Sequence, residues 1–238
     1  MASLDRDAEI QLEGVLEPAD FVIVTACSET PASTELAKQV CEKIDEDQQS
    51  VVIVLRPETN SIEQYPGLNE AAENIIPIDE SHATEICNPN RLLETKRSSP
   101  LDPGEQVMVA LIDAFVRTLH GPLPIGTDLA ALHELFTDRG HCRLYYGAGH
   151  RGELPATVID GETSGWLSDG RLERADGAFG FVRFGSPFEL REFEIVEEHL
   201  KDQYASQTIP KNRWVVTGTS DELFLEEFSV LLVIFGEE

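Results

Sequence analysis

The segment from Phe21 to Ile44 constrains the fold more than any other part of the chain. Phe21, Val22, Ile23 and Val24 form a short apolar run of the kind a strand shows when both its faces are buried. The loop Thr25-Ala26-Cys27-Ser28-Glu29-Thr30 follows. Thr30 then reads as an N-cap with Pro31 at the first helical position, and Leu36, Ala37, Val40, Cys41 and Ile44 recur on one helical face. A strand, a short loop and a helix in this order build parallel α/β sheets, and can rest a phosphate on the helix N-terminus. Such a cradle needs backbone N–H groups that approach the anion closely, for which glycine is the usual residue. This loop has no glycine, and Glu29 brings a carboxylate to the place of the anion.

The alternation continues through the first half. Apolar runs at Val51 to Leu55 and Ile75 to Ile78 predict two more strands beside Phe21 to Val24, hence a parallel sheet. Pro57 to Gly67 is turn-rich with a weak helical pattern. The clearest helix is predicted over Pro103 to His120. Asp102 is its N-cap, Glu105 completes a capping box, Gly121-Pro122 ends it, and Val107, Leu111, Ala114, Phe115 and Thr118 share one face. A shorter helix is expected from about Asp128 to Arg139.

Beyond Gly140 the texture turns β-rich. Arg143 to Tyr146, Phe179 to Phe184, Trp214 to Thr217 and Phe228 to Phe235 read as strands, interrupted by a helix at Glu189 to Leu200. Asp160-Gly161, Asp169-Gly170, Asp176-Gly177 and Gly147-Ala148-Gly149 read as turns. The change of texture near Gly121 to Pro124 divides the chain into residues 1–121, with the central helix, and residues 122–238.

Charge narrows the function classes. Across 238 residues, 44 acidic side chains against 18 basic ones give a formal net charge of -26. Nucleic acid and anionic membranes are bound through basic residues that replace counterions, so both are expected to be absent as partners. The acidity is spread along the chain, as on a solvated surface adapted to high salt, where screening removes most self-repulsion. No stretch has the length of an apolar membrane span and the N-terminus lacks a signal-peptide core, so a cytoplasmic, halophilic protein is expected. Cys27, Cys41, Cys87 and Cys142 are widely spaced with no CxxC pair, which reads as reduced thiols. His141 adjoins Cys142, but strand neighbours point to opposite faces. The six histidines show no metal-binding spacing, and no metal is expected.

Several landmarks, in order and at compatible spacing, resemble the tubulin/FtsZ family. Val24-Thr25-Ala26 resembles the strand end that precedes that family's glycine-rich GGGTGTG loop. Asn88-Pro89-Asn90-Arg91-Leu92-Leu93-Glu94 resembles its IPNDRLLE segment, and Ser99-Pro100-Leu101-Asp102 the start of its long central helix. Ile125-Gly126-Thr127-Asp128-Leu129-Ala130-Ala131 resembles its INLDFAD loop, which in a filament reaches the nucleotide of the adjoining subunit. The resemblance implies an α/β fold: an incomplete Rossmann-like half, a central helix, and an α+β half with a mixed or antiparallel sheet. Nothing corresponds to the family's N-terminal GxGGxG-like loop, so the chain looks like a truncated, degenerate relative with room for one strand and a turn ahead of Phe21.

By the same resemblance Asp128 matches the acid that polarises the attacking water on a partner's nucleotide. Thr25, Ala26, Asn88, Asn90 and Asp102 match nucleotide-binding positions. Each also has a local reading: Asp128 as a first-turn carboxylate, Asp102 as a cap, and the two asparagines as turn residues beside Pro89. The expected function is a non-catalytic FtsZ/tubulin-like protein without a cofactor, acting through filament-type surfaces on FtsZ-family polymers or by self-association. A GTP-binding GTPase with an unorthodox or partner-completed site is the alternative, and an unrelated α/β enzyme with a pocket near Cys27 and Asn88 is a further one.

Overall fold

The structure is a computed structural model, and it describes residues 6–45, 47–56, 67–86, 101–121, 123, 125–127, 129–137, 140–150, 164–168, 174–204, 209–221 and 227–237. Its elements run α1 (Arg6–Leu16), β1 (Phe21–Cys27), α2 (Pro31–Cys41), β2 (Gln49–Arg56), α3 (Leu68–Ala71), β3 (Asn74–Asp79), α4 (Glu80–Ile86), α5 (Pro103–His120) and α6 (Leu129–Phe136). They continue with β4 (Gly140–His150), β5 (Ser164–Trp166), β6 (Arg174–Gly185), α7 (Leu190–Tyr204), β7 (Trp214–Asp221) and β8 (Glu227–Glu237).

The eight strands of the described residues belong to one sheet in the order β1-β2-β3-β4-β8-β6-β7, with β5 on the side of β4. β1, β2 and β3 are parallel, as their continuous apolar runs require, and β2 is buried at every position. β3 meets β4 in parallel over only Asn74↔Gly140 and Ile75↔His141. The other half is mixed: β8 lies antiparallel between β4 and β6, and β6 and β7 are parallel across the α7 crossover. The α/β fold class, the parallel first half and the mixed second half are therefore as expected.

Helices cover both faces. α2 and α3 close over Val24, Ala26, Val52, Val54 and Ile75 on one face of the parallel strands. α7 buries Phe193, Val196 and Leu200 against β6, β7 and β8. On the opposite face α4, α5 and α6 share a single core with both halves of the sheet. Phe115 of α5 is its pivot: it stacks on Phe179 of β6 at 4.8 Å and meets Phe21 of β1 at 6.0 Å and Phe136 of α6 at 5.7 Å. Such ring pairs add about 0.5–1.5 kcal/mol each beyond area burial. The five residues assigned to the inner face of α5 are all buried.

Three expectations fail. Ahead of β1, Arg6–Leu16 form a helix in place of the strand for which there was room, because Ala8, Leu12 and Leu16 recur every fourth position and Leu16 is buried. Gly147-Ala148-Gly149 is no turn; it lies within β4, where pairing with Val230, Ser229 and Phe228 of β8 outweighs the weak strand preference of glycine. Asp176-Gly177 is a bulge in β6, where the register shifts between Ala175 and Gly177. The bulge also packs closely: a Cβ at Gly177 would lie 2.5 Å from Leu135 Cδ1, so a larger residue there displaces that side chain. Thr30 is the N-cap of α2 with Pro31 at its first position, as expected, although its side chain makes no capping bond. Asp160-Gly161, Asp169-Gly170, Cys87 and most of the segment from Pro57 to Gly67 lie outside the described residues.

Candidate functional site

In an open parallel sheet, ligands bind beyond the carboxyl ends of the strands. Here that end is formed by the β1–α2 loop, the β3–α4 junction and the first turn of α5. Ala26 is buried, Thr25 is exposed, and both sit on the last turns of the pleat of β1. The loop that follows is tied inward by its own N–H groups. Cys27 N–H donates to Ser33 Oγ at 3.0 Å, Ser28 N–H to the Leu55 carbonyl at 2.9 Å and Thr30 N–H to the Cys27 carbonyl at 3.3 Å. Three donors that could hold an anion in a phosphate loop are thus spent on the protein.

Carboxylates converge on the same end from three elements. Burial raises the Glu80 carboxyl above its ordinary range, and repulsion from Glu29, Asp102 and Glu105 raises it further. Glu29 precedes α2, Glu80 opens α4, and Asp102 and Glu105 flank the start of α5. Each helix N-terminus carries partial positive charge that favours a nearby anion. The protein supplies that anion itself. Asp102 and Glu105 form the expected capping box, with Asp102 N–H donating to Glu105 Oε2 at 3.0 Å. Gly104 brings this turn close: a Cβ on it would lie 2.6 Å from Leu55 Cδ1 and 3.0 Å from Glu80 Cγ.

Beneath the carboxylates lies an ion pair that sequence reasoning missed. Arg56 ends β2 and Asp79 ends β3 as register partners, and Arg56 Nε donates to Asp79 Oδ1 at 2.6 Å with both side chains almost wholly out of solvent. Asp79 Oδ2 also lies 3.6 Å from His82 Nδ1, and Asp79 N–H donates to the Leu167 carbonyl at 2.7 Å. The signal was present as two apolar strands each ending in an opposite charge. The buried cation that ends β2 is therefore engaged by Asp79.

Of the expected site residues, Thr25, Ala26 and Asp102 come to this one end of the sheet, while Asn88, Asn90 and Asp128 lie outside the described residues. Cys41 is buried with its thiol pushed up to about 11, and burial also pushes Cys142 up, which keeps both as inert thiols. A separate cavity of about 410 Å³, lined by Cys41, Glu42, Asp45, Glu70 and Glu73 among others, lies at the opposite end of α2 and is not part of this site. Among the described residues no group of three or more His, Cys, Asp or Glu could hold a metal ion, and no helix is long and apolar enough to cross a membrane.

No protein-family model matches the sequence, and no curated protein matches it. Solved structures do match in three dimensions. An empty FtsZ dimer from M. jannaschii superposes with a TM-score of 0.70 at 18% identity, covering 97% of this chain and 67% of the other. A point mutant of FtsZ from the same organism gives 0.71 at 17% identity, with 97% and 70% covered. CetZ2 from Haloferax volcanii, solved as a GTPγS-bound protofilament, gives 0.60 at 14% identity, with 98% and 70% covered. The chain thus spans about two thirds of the length of these structures, and at such identities it is the architecture that is shared: this protein has the fold of the tubulin/FtsZ superfamily.

Proposed function

We propose that this protein is a non-catalytic member of the cytoskeletal FtsZ/tubulin group that works through protein surfaces, binding or modulating FtsZ-family polymers, and does not turn over nucleotide. The observation that carries this reading is the gathering of Glu29, Glu80, Asp102 and Glu105 at the carboxyl ends of the parallel strands, strong enough to raise the Glu80 carboxyl. A nucleotide phosphate brought there meets four carboxylates, and the loop N–H groups of Cys27, Ser28 and Thr30 are already bonded. The division into residues 1–121 and 122–238 fits this reading, with α5 as the element shared between them. The high negative charge fits a halophilic cytoplasm, where the surface stays solvated and screened.

The competing reading is a GTPase whose site a partner completes. It draws on the solution of CetZ2 in a GTPγS-bound protofilament and on Asp128 at the matching loop position. Both are decided by adding the purified chain to an FtsZ-type protein and GTP in high KCl. The proposal predicts a change in polymer mass or length at substoichiometric amounts with no GTP turnover by the chain alone. Turnover by the chain, lost in Asp128→Ala, overturns it.

A further inference from the structure

β1 is the outermost strand at one end of the sheet, with β2 on one side and no strand on the other among the described residues. Two bonds fix which of its backbone groups face outward. The Asp20 carbonyl accepts Gln49 N–H at 3.1 Å, and Ser28 N–H donates to the Leu55 carbonyl at 2.9 Å. Even-numbered residues therefore face β2, and odd-numbered ones face away. Cys27 is closed off at the far end, its N–H on Ser33 Oγ and its carbonyl on Thr30 N–H. Phe21, Ile23 and Thr25 remain, each presenting an N–H and a carbonyl outward that no described residue engages.

Proteins guard such edges with lysine, proline, bulges or a covering segment. The strand at the other end of the sheet, β7, is covered in part: Ile125 bridges to its outer edge, and Gly218 N–H donates to the Ile125 carbonyl at 3.1 Å. β1 carries no proline, glycine or charged residue and keeps an unbroken register with β2 from Phe21 to Cys27. Its odd side chains lie on the face covered by α5, whose Phe115 meets Phe21. That helix also leaves Val109 and Val116, two turns apart on one side, 41% and 44% exposed.

We propose that the free edge of β1 takes up an extended segment of a partner protein as an added strand, the segment being apolar and β-branched with lysine or arginine at its ends. Main-chain bonds to Phe21, Ile23 and Thr25 give the affinity, and alternate side chains of the segment lie toward α5. Charge selects the occupant. Glu17 and Asp20 precede the strand, Glu29 follows it, and the net charge is -26, so a second copy brings like charge while basic ends bring opposite charge. The inference rests on the reading that the protein acts through protein partners.

The test is a selection of short random peptides, displayed on phage, against the full chain at the lowest KCl concentration that keeps it folded. Enriched peptides are expected to alternate apolar residues between basic ends. Their binding to Thr25→Pro, which removes one outward N–H at a position suited to an edge proline, is expected to fall by at least about tenfold, while Thr25→Val binds as the parent does. Should Thr25→Pro fail to fold, Thr25→Lys places an edge-guarding charge on an intact backbone and gives the same loss. Peptides that bind Thr25→Pro undiminished move the partner surface elsewhere and overturn the edge proposal alone. No enrichment removes the protein-partner reading with it. A concentration-dependent dimer abolished by Thr25→Pro makes the occupant a second copy and overturns the proposal.

Discussion

Arg183 of β6, buried against the central helix, donates from a terminal guanidinium nitrogen to Asp113 of α5, which also accepts from Arg117 Nε at 2.9 Å. Burial holds the Arg183 guanidinium below its ordinary pKa, and the Asp113 carboxylate opposes that shift. Together with the Thr118 and Thr217 hydroxyls, 3.3 Å apart, this pair fastens α5 to the mixed half of the sheet. Asp113→Ala strands a buried cation. The expected cost is about 2 kcal/mol, less than for a fully buried pair because Asp113 keeps some exposure. Denaturant unfolding in high KCl measures it, and the double variant Asp113→Ala with Arg183→Met is expected to recover most of the loss.

Gly104 decides how closely the first turn of α5 approaches β2 and α4. Alanine there gains helix propensity of up to about 1 kcal/mol but drives a methyl into Leu55 and Glu80. Net destabilisation of about 1–2 kcal/mol is expected. An unchanged or raised unfolding midpoint for Gly104→Ala would show that the turn stands further off than the structure has it.

The acidic end of the sheet gives a prediction with a definite sign. A carboxyl whose folded pKa is raised adds stability that is complete below its unfolded value, near 4.5, and is lost as pH rises through the folded value. At neutral pH the charge on Glu80 therefore costs stability. Glu80→Gln is expected to raise the melting temperature by about 1–3 °C at pH 7 in the lowest salt that supports folding. The gain shrinks in high KCl and disappears near pH 4. A variant that melts lower at pH 7 contradicts the clustering of charge.

Much of this arrangement could be read from the chain because local signals agreed with one another. The limits of α5 match the expectation because Asp102, Pro103, Glu105 and Gly121 are all punctuation of one kind. The strands of the parallel half were legible as continuous apolar runs, although each extends further than its apolar stretch, since pairing carries polar ends such as Gln49 and Arg56 into the ladder. What escaped depends on contacts distant in sequence. Arg56 and Asp79 are 23 residues apart and meet only through strand register. Glu29, Glu80 and Asp102 become neighbours only when β1, β3 and α5 are laid side by side. Gly147 and Gly149 are turn residues by type, and only ten paired positions with β8 make them strand.

The central claim, that the strand ends carry the protein's own carboxylates in place of a phosphate, is tested most directly by isothermal calorimetry of GTP against the full chain in multimolar KCl. No binding heat is expected up to millimolar nucleotide, with or without magnesium. Saturable binding at about micromolar Kd, worth about 8 kcal/mol, would contradict it.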